Sequence, residues 1–186
     1  MSMTREQAAK EVELVSRRLG LLHLAFARTL INELGDEEGR LLVLKAIKAY
    51  GIMIGTEVKQ AVVDQGLPAT PENYGVGKSR SLPNIGMHAG QEEVVVDGMK
   101  RLRAHGCVMA KVWRQYGEEK LGRLYCYVDP AKYMAYNAAY KLGHVKTIPD
   151  GDDYCEFCLE ETTEKEREDF ASASARWAYI DKCHGM

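Results

Sequence analysis

No stretch of this sequence suits a bilayer. The most apolar run, residues 41–54, is broken by Lys45 and Lys48, and it falls short of the roughly 20 residues that a membrane helix needs. The N-terminal segment MSMTREQAAKEVEL also lacks the apolar core and small-residue cleavage site of a signal peptide. A cytoplasmic location without a membrane partner is therefore expected. An excess of either charge is missing too: the net charge of −2 offers no basic stripe for phosphates, which excludes nucleic acid as the expected partner. Internal repeats and low-complexity tracts are absent. Cysteine is scarce and odd in number, at five. In a reducing compartment such thiols are read for reactivity or metal binding before disulfides.

What is present is ordinary globular material. Hydrophobic residues make up 46% and charged residues 28% of 186 positions, enough for one domain with a substantial core. Residues 1–66 read as a helical part, 67–90 as a long loop, 91–160 as hairpins with short helices, and 161–186 as a C-terminal helix. Thr4 and Gln7 have the spacing of a capping box. Val12, Val15, Leu19, Leu22, Phe26 and Leu30 then recur on one helical face, with Gly20 as a candidate break and His23 as a hydrogen-bonded core histidine. Asp36 caps a second helix as far as Gln65, and Gly51 and Gly55 let a neighbouring backbone approach it. The loop is rich in Gly, Pro, Asn and Ser. Its length suggests a lid or mobile segment; Lys78 and Arg80 could meet an anionic group there and His88 could titrate near neutral pH, but solvated loop charges are the preferred reading, because Gly75-Val76-Gly77-Lys78 lacks the full spacing of a phosphate-binding loop.

Two Asp-Gly pairs, Asp97-Gly98 and Asp150-Gly151, fall between β-compatible runs and predict type I′ hairpins. The expected fold is α+β: N- and C-terminal helices packed on an antiparallel sheet of about four strands made from two hairpins. Asp129-Pro130 reads as the start of a short helix. Thr163 and Glu166 open the C-terminal helix, with Phe170, Ala173, Trp177 and Ile180 on one face and Cys183-His184 as a frayed tail. A two-residue turn at Asp150-Gly151 sets Ile148 opposite Asp153, Lys146 opposite Cys155 and His144 opposite Phe157. The lysine would favour the Cys155 thiolate. Period-2 geometry sends Cys155 and Cys158 to opposite faces, so that C-x-x-C pair is no metal knuckle.

The stretch LGRLYCYVD (Leu121 to Asp129), then Tyr136-Asn137, then GDDYCEF (Gly151 to Phe157) resembles the L-2-amino-thiazoline-4-carboxylic acid hydrolase family. The GD-x-x-C-x-F element alone also resembles the 4-vinyl reductase ligand-binding domain, whose zinc is held by cysteines and a glutamate. This chain departs from that pattern: Gly143, His144, Val145 and Lys146 supply neither residue before the turn. No cofactor is certain, and zinc is left open on Cys107, Cys126 and Cys155.

Cys126, Asp129, Asn137, Asp152 and Cys155 fall on the family's motifs. The resemblance implies that water attacks the amidine-like carbon of a five-membered ring while sulfur leaves, giving a carbamoyl cysteine. That chemistry calls for a nucleophile (Cys155 or Cys126), a base (Asp129 or Asp152), a proton carrier (His105), and a substrate-carboxylate partner among Arg101, Arg103 and Lys146. Each has an ordinary alternative: a buried thiol, a helix cap at Asp129, turn residues at Asp150 and Asp152. The rival function is a non-catalytic small-molecule sensor, and a third is an assembly protein packing through an exposed apolar patch. A homo-oligomer is left open.

Overall fold

A computed structural model describes residues 3–77, 85–172 and 175–184. Lys78, Arg80 and Ala173 lie outside the described residues. The elements run in the order α1 (Arg5–Leu34), α2 (Asp36–Val63), β1 (Gly90–Val96), β2 (Met99–His105), α3 (Val108–Gln115), α4 (Glu119–Cys126), α5 (Val128–Tyr136), β3 (Tyr140–Lys146), β4 (Tyr154–Glu161) and α6 (Glu164–Ala171). The four strands form one antiparallel sheet in the order β1-β2-β4-β3, with helices before and after it in the chain. Among the described residues no helix is long and apolar enough to cross a membrane.

α1 starts at the capping box, with the Gln7 N–H donating to Thr4 Oγ1 and the Thr4 N–H to Gln7 Oε1. It runs through Gly20 without a break. The glycine serves packing instead: its carbonyl accepts from Trp113 Nε1 at 3.3 Å, and α3 lies close against it. The buried face of α1 carries Ser16, Gly20, His23, Leu24 and Ala27. Val15, Leu22 and Phe26 are 60%, 54% and 65% exposed. The helical period was as expected but the buried face was not, because small residues let backbones approach where bulky ones would hold them apart. His23 is a core histidine, its Nε2 3.0 Å from the Leu121 carbonyl.

Gly35, with φ +86°, stands before α2, so Asp36 is inside the first turn, paired with Arg40, and is not the cap. Gly51 and Gly55 face α5, where an added Cβ would overlap Ala131 and the Lys132 carbonyl. In the loop that follows, Pro71–Asn73 forms a 3₁₀ turn and Ile85 bridges His88, so its described parts are not without regular structure.

The first hairpin turns at Asp97 and Gly98, both with positive φ (51° and 76°), as a type I′ turn requires. The second does not use a two-residue turn. Thr147 caps a 3₁₀ turn over Ile148–Asp150, Gly151 takes φ 108°, and Asp152 accepts the Thr147 N–H at 2.9 Å. Pro149 suits that turn and prevents a tight type I′ reversal. His144 does pair with Phe157, but a register shift follows and Lys146 then pairs with Glu156, so Lys146 is not opposite Cys155.

The main core lies on one sheet face, where Ala104, Cys155 and Phe157 meet Val112 and Trp113 of α3 and Leu121, Leu124 and Tyr125 of α4. α5 starts at Val128, so Asp129 sits in its first turn and its carboxylate is free of capping. After β4, the Thr163–Glu166 capping box opens α6, which stops at Ala171. The chain resumes as a 3₁₀ segment, Ala175–Asp181, whose Trp177 and Ile180 are fully buried. It then follows the outer side of β3, with Lys182 bridged to His144. Cys183 is 4% exposed and disulfide-bonded to Cys158. The tail is therefore not frayed and the five thiols are not all free: Gly143, across the ladder from Cys158, leaves room for the segment to close on the strand.

Candidate active site

Three short elements and the chain end converge on His144. Its ring faces Phe157, 4.7 Å between centroids, and is 3% exposed. Nδ1 lies 2.6 Å from Asp181 Oδ1 and Nε2 lies 3.5 Å from Asp129 Oδ2. Asp181 also accepts from Arg123 Nη2, and Arg123 Nε donates to Asp150 Oδ2 at 2.8 Å. Asp129 is ion-paired with Lys132 one helical turn on. Arg123, Cys126 and Asp129 thus follow one another at three-residue steps across the junction of α4 and α5.

Burial alone would push His144 towards the neutral form. The charge of Asp181 and the hydrogen bonds to Asp129 and Asp181 outweigh it and hold its pKa at about 9. Burial would likewise raise the Asp129 carboxyl, but Lys132 and His144 keep it well below the usual range. At neutral pH the centre is an imidazolium clamped between two carboxylates. Such a group gives up a proton to a leaving atom and is no base.

The thiols behave in the opposite way. Burial lifts Cys126 well above its ordinary value, Cys107 upward, and Cys155 to about 11. The Ile148 N–H points at Cys155 Sγ from 3.5 Å, and that single bond does not offset the desolvation. All three stay protonated near neutral pH. Cys107, Cys126 and Cys155 lie close enough that ionising one would oppose ionising another, and Asp129 opposes it in all three, so four of the residues expected from sequence are neighbours. They do not make a compact ligand set: among the described residues, the one group of three donors within 4.8 Å is Cys158, Glu160 and Cys183. His88 is also drawn in. Its Nδ1 is buried without a partner, burial keeps the ring on the neutral side, and Asp129 and Lys132 are the charges it senses.

A pocket of about 350 Å³ opens beside this network, lined by Arg123, His144, Lys146, Asp150, Asp152 and Asp181 among others. It carries both signs of charge. Arg123 has one donor, Nη1, buried without a partner. A larger cleft of about 700 Å³ lies between α1, α4 and the Ile148–Asp150 turn. Six of its charged side chains are paired with one another, Arg28 with Glu118, Arg40 with Asp36 and Arg114 with Glu119, and Lys120 and Asp150 also line it. The smaller pocket, with an uncommitted donor and a buried charged histidine, is the better chemical site.

The remaining expected residues lie apart from the network. His105 pairs with exposed Glu92 at 3.1 Å. Arg103 is bound to Glu156 at 2.7 Å and covers Tyr154, whose hydroxyl accepts from Lys146 at 3.1 Å. Arg101 is 7% exposed, pairs with Cys158 across the ladder, and leaves its Nε without a partner. Asn137 is structural in its contacts, donating to the Ala69 carbonyl and accepting from the Ala139 N–H. Sequence reasoning missed Arg123, His144 and Asp181 as site residues. For Arg123 a signal existed, since it lies one and two helical turns before Cys126 and Asp129. For Asp181 there was none, because only the tertiary path of the chain end brings it in.

A search of curated proteins and one of solved structures find no match. The family model described as L-2-amino-thiazoline-4-carboxylic acid hydrolase matches residues 16–159. That span contains Arg123, Cys126, Asp129, His144 and Cys155 and ends before Asp181. Since it takes in most of the chain, from within α1 to β4, the chain belongs to the L-2-amino-thiazoline-4-carboxylic acid hydrolase family.

Proposed function

We propose that the protein opens the ring of L-2-amino-thiazoline-4-carboxylate, or of a close cyclic amidine carboxylate, by direct attack of water. Family membership supports the substrate class, and one observation carries the mechanism: a buried imidazolium, His144, on the wall of a pocket of mixed charge. The substrate bears an amidine and a carboxylate. Asp150 and Asp152 suit the first, and the unpartnered Arg123 donor suits the second, with Lys146 as a further cation on the pocket wall. Water adds to the ring carbon of the protonated amidine, between nitrogen and sulfur, and loses one proton to a carboxylate. The carbon–sulfur bond then breaks as the added hydroxyl becomes a carbonyl; the sulfur takes a proton from His144, and the hydroxyl proton restores the imidazolium, leaving a carbamoyl group on nitrogen and a free thiol. Asp129 and Asp181 hold the imidazolium ready and stabilise it between turnovers.

In this reading the protonated thiols of Cys126 and Cys155 shape the site and do not attack the substrate. The test is thiol release from L-2-amino-thiazoline-4-carboxylate by purified variants. His144→Gln should lower kcat by about a hundredfold or more, the usual worth of a positioned acid, while Cys155→Ser stays within a few-fold of the parent. A folded Cys155→Ser protein without turnover would return the nucleophile to Cys155 and reject attack by free water.

A further inference from the structure

Asp181 is the partner shared by His144 and Arg123, and it stands two residues before Cys183. Upstream, the segment is anchored by the fully buried Trp177 and Ile180. Downstream, its ties besides the sulfurs are polar: Lys141 Nζ donates to the Lys182 carbonyl at 2.8 Å, the Lys182 N–H donates to the Tyr179 carbonyl at 3.2 Å, Lys182 bridges to His144, the His184 N–H reaches Glu160 at 2.8 Å, and the half-exposed His184 ring lies 3.0 Å from Glu166 and 3.5 Å from Glu160. The only covalent tie is the bond from Cys183 to Cys158. Cys158 pairs across the ladder with Gly143, the neighbour of His144. A Cβ on Gly143 would stand 3.3 Å from each sulfur and 2.8 Å from the Asp181 carbonyl, so the bond, the strand and Asp181 share one small space.

We propose that Cys183, through its bond to Cys158, is the positioning residue that holds Asp181 against His144 and Arg123, so that the site is complete only in the oxidised chain. The inference rests on the reading of His144 as the proton donor, and it lies beyond the span that the family model matches. Bond formation takes two protons and two electrons from the two thiols and passes them to a low-molecular-weight disulfide, which leaves as two thiols. Exchange with a dithiol reverses it. With the bond open, the chain from Asp181 onward keeps only its polar ties, and conformational freedom draws the Asp181 carboxylate towards water. His144 then retains Asp129 alone as a charged partner.

The experiment compares the full chain as purified without reductant, the same chain after a phosphine reductant, and the Cys183→Ser, Asp181→Asn and Asp181→Asn/Cys183→Ser variants. Thiols are counted under denaturing conditions, His144 is titrated by NMR, and kcat/KM is measured. The oxidised chain should show three thiols, Cys107, Cys126 and Cys155. Reduction or Cys183→Ser should lower the His144 titration midpoint by about one unit or more, as expected when an adjacent opposite charge departs. It should also cost about ten- to a hundredfold in turnover, the scale of a small misplacement, and reoxidation with glutathione disulfide should restore both. Asp181→Asn should give the same loss with the bond intact, and Cys183→Ser should add nothing to it. A disulfide serving stability alone would lower Tm and leave the His144 midpoint where it was, which overturns the proposal. So does a purified chain with five titratable thiols, or a zinc ion held by Cys158, Cys183 and Glu160. A midpoint that moves with redox state in a protein inactive in both states upholds the clasp and sinks the hydrolase reading instead.

Discussion

His144 shows how much a single side chain depends on partners distant in sequence. Its register opposite Phe157 was legible from the hairpin pattern, and its charge was not, because Asp181 arrives from the far end of the chain. Cys155 shows the converse. Its separation from Cys158 onto the opposite face of the strand followed from period-2 geometry, but the lysine meant to activate it was displaced by a register shift after His144 that Thr147 and Pro149 impose. The raised pKa of His144 has a consequence for stability. An imidazole of ordinary pKa near 6.5 in the unfolded chain and about 9 in the folded one binds its proton more tightly when folded. Its contribution is therefore fully present below about pH 6.5 and is lost as pH rises through 9, amounting to about 3 kcal/mol across that window. Urea unfolding at pH 6.5 and pH 10 should show the parent losing this much more stability than His144→Gln. Equal losses in the two proteins would mean that the imidazole is neutral in the fold.

At the scale of elements, the two N-terminal helices were visible in composition, and the first also in its capping box, while the cap of the second and the buried face of the first were misread. A stripe of Val, Leu and Phe on α1 satisfies helical periodicity, yet the line of Ser16, Gly20, His23 and Ala27 is what packs, since α3 needs a close approach. The same logic was read correctly at Gly51 and Gly55, where close packing was expected and α5 fills the space. These glycines set the height of α5 and hence of Asp129. Gly55→Ala should destabilise the protein by about 1–3 kcal/mol through overpacking, and it should reduce turnover as well, because α5 must move away from α2. Thermal unfolding and kcat/KM measured on the same preparation check both; an unchanged Tm would mean that the contact is slack. The C-terminal helix was legible only in its first half, since the capping box at Thr163 marks a start and nothing marks the stop before the 3₁₀ segment.

Over the whole molecule, the fold was legible because two Asp-Gly turns and alternating strands specify an antiparallel sheet whatever the helices do. Of the candidate site, local motifs pointed only to Cys126, Asp129 and Cys155, which the structure brings together. The site's remaining members are gathered from α4, β3 and the chain end by tertiary packing, which no local spacing encodes. In the proposed mechanism a buried imidazolium, and not a thiolate, drives ring opening. The deciding measurement is the pH dependence of kcat/KM on L-2-amino-thiazoline-4-carboxylate. The parent should hold a plateau near neutral pH and fall along a single limb near pH 9, where His144 loses its proton, and Cys155→Ser should keep that limb. Activity that instead rises with pH towards about 11, where the Cys155 thiol ionises, and vanishes in Cys155→Ser would contradict the account.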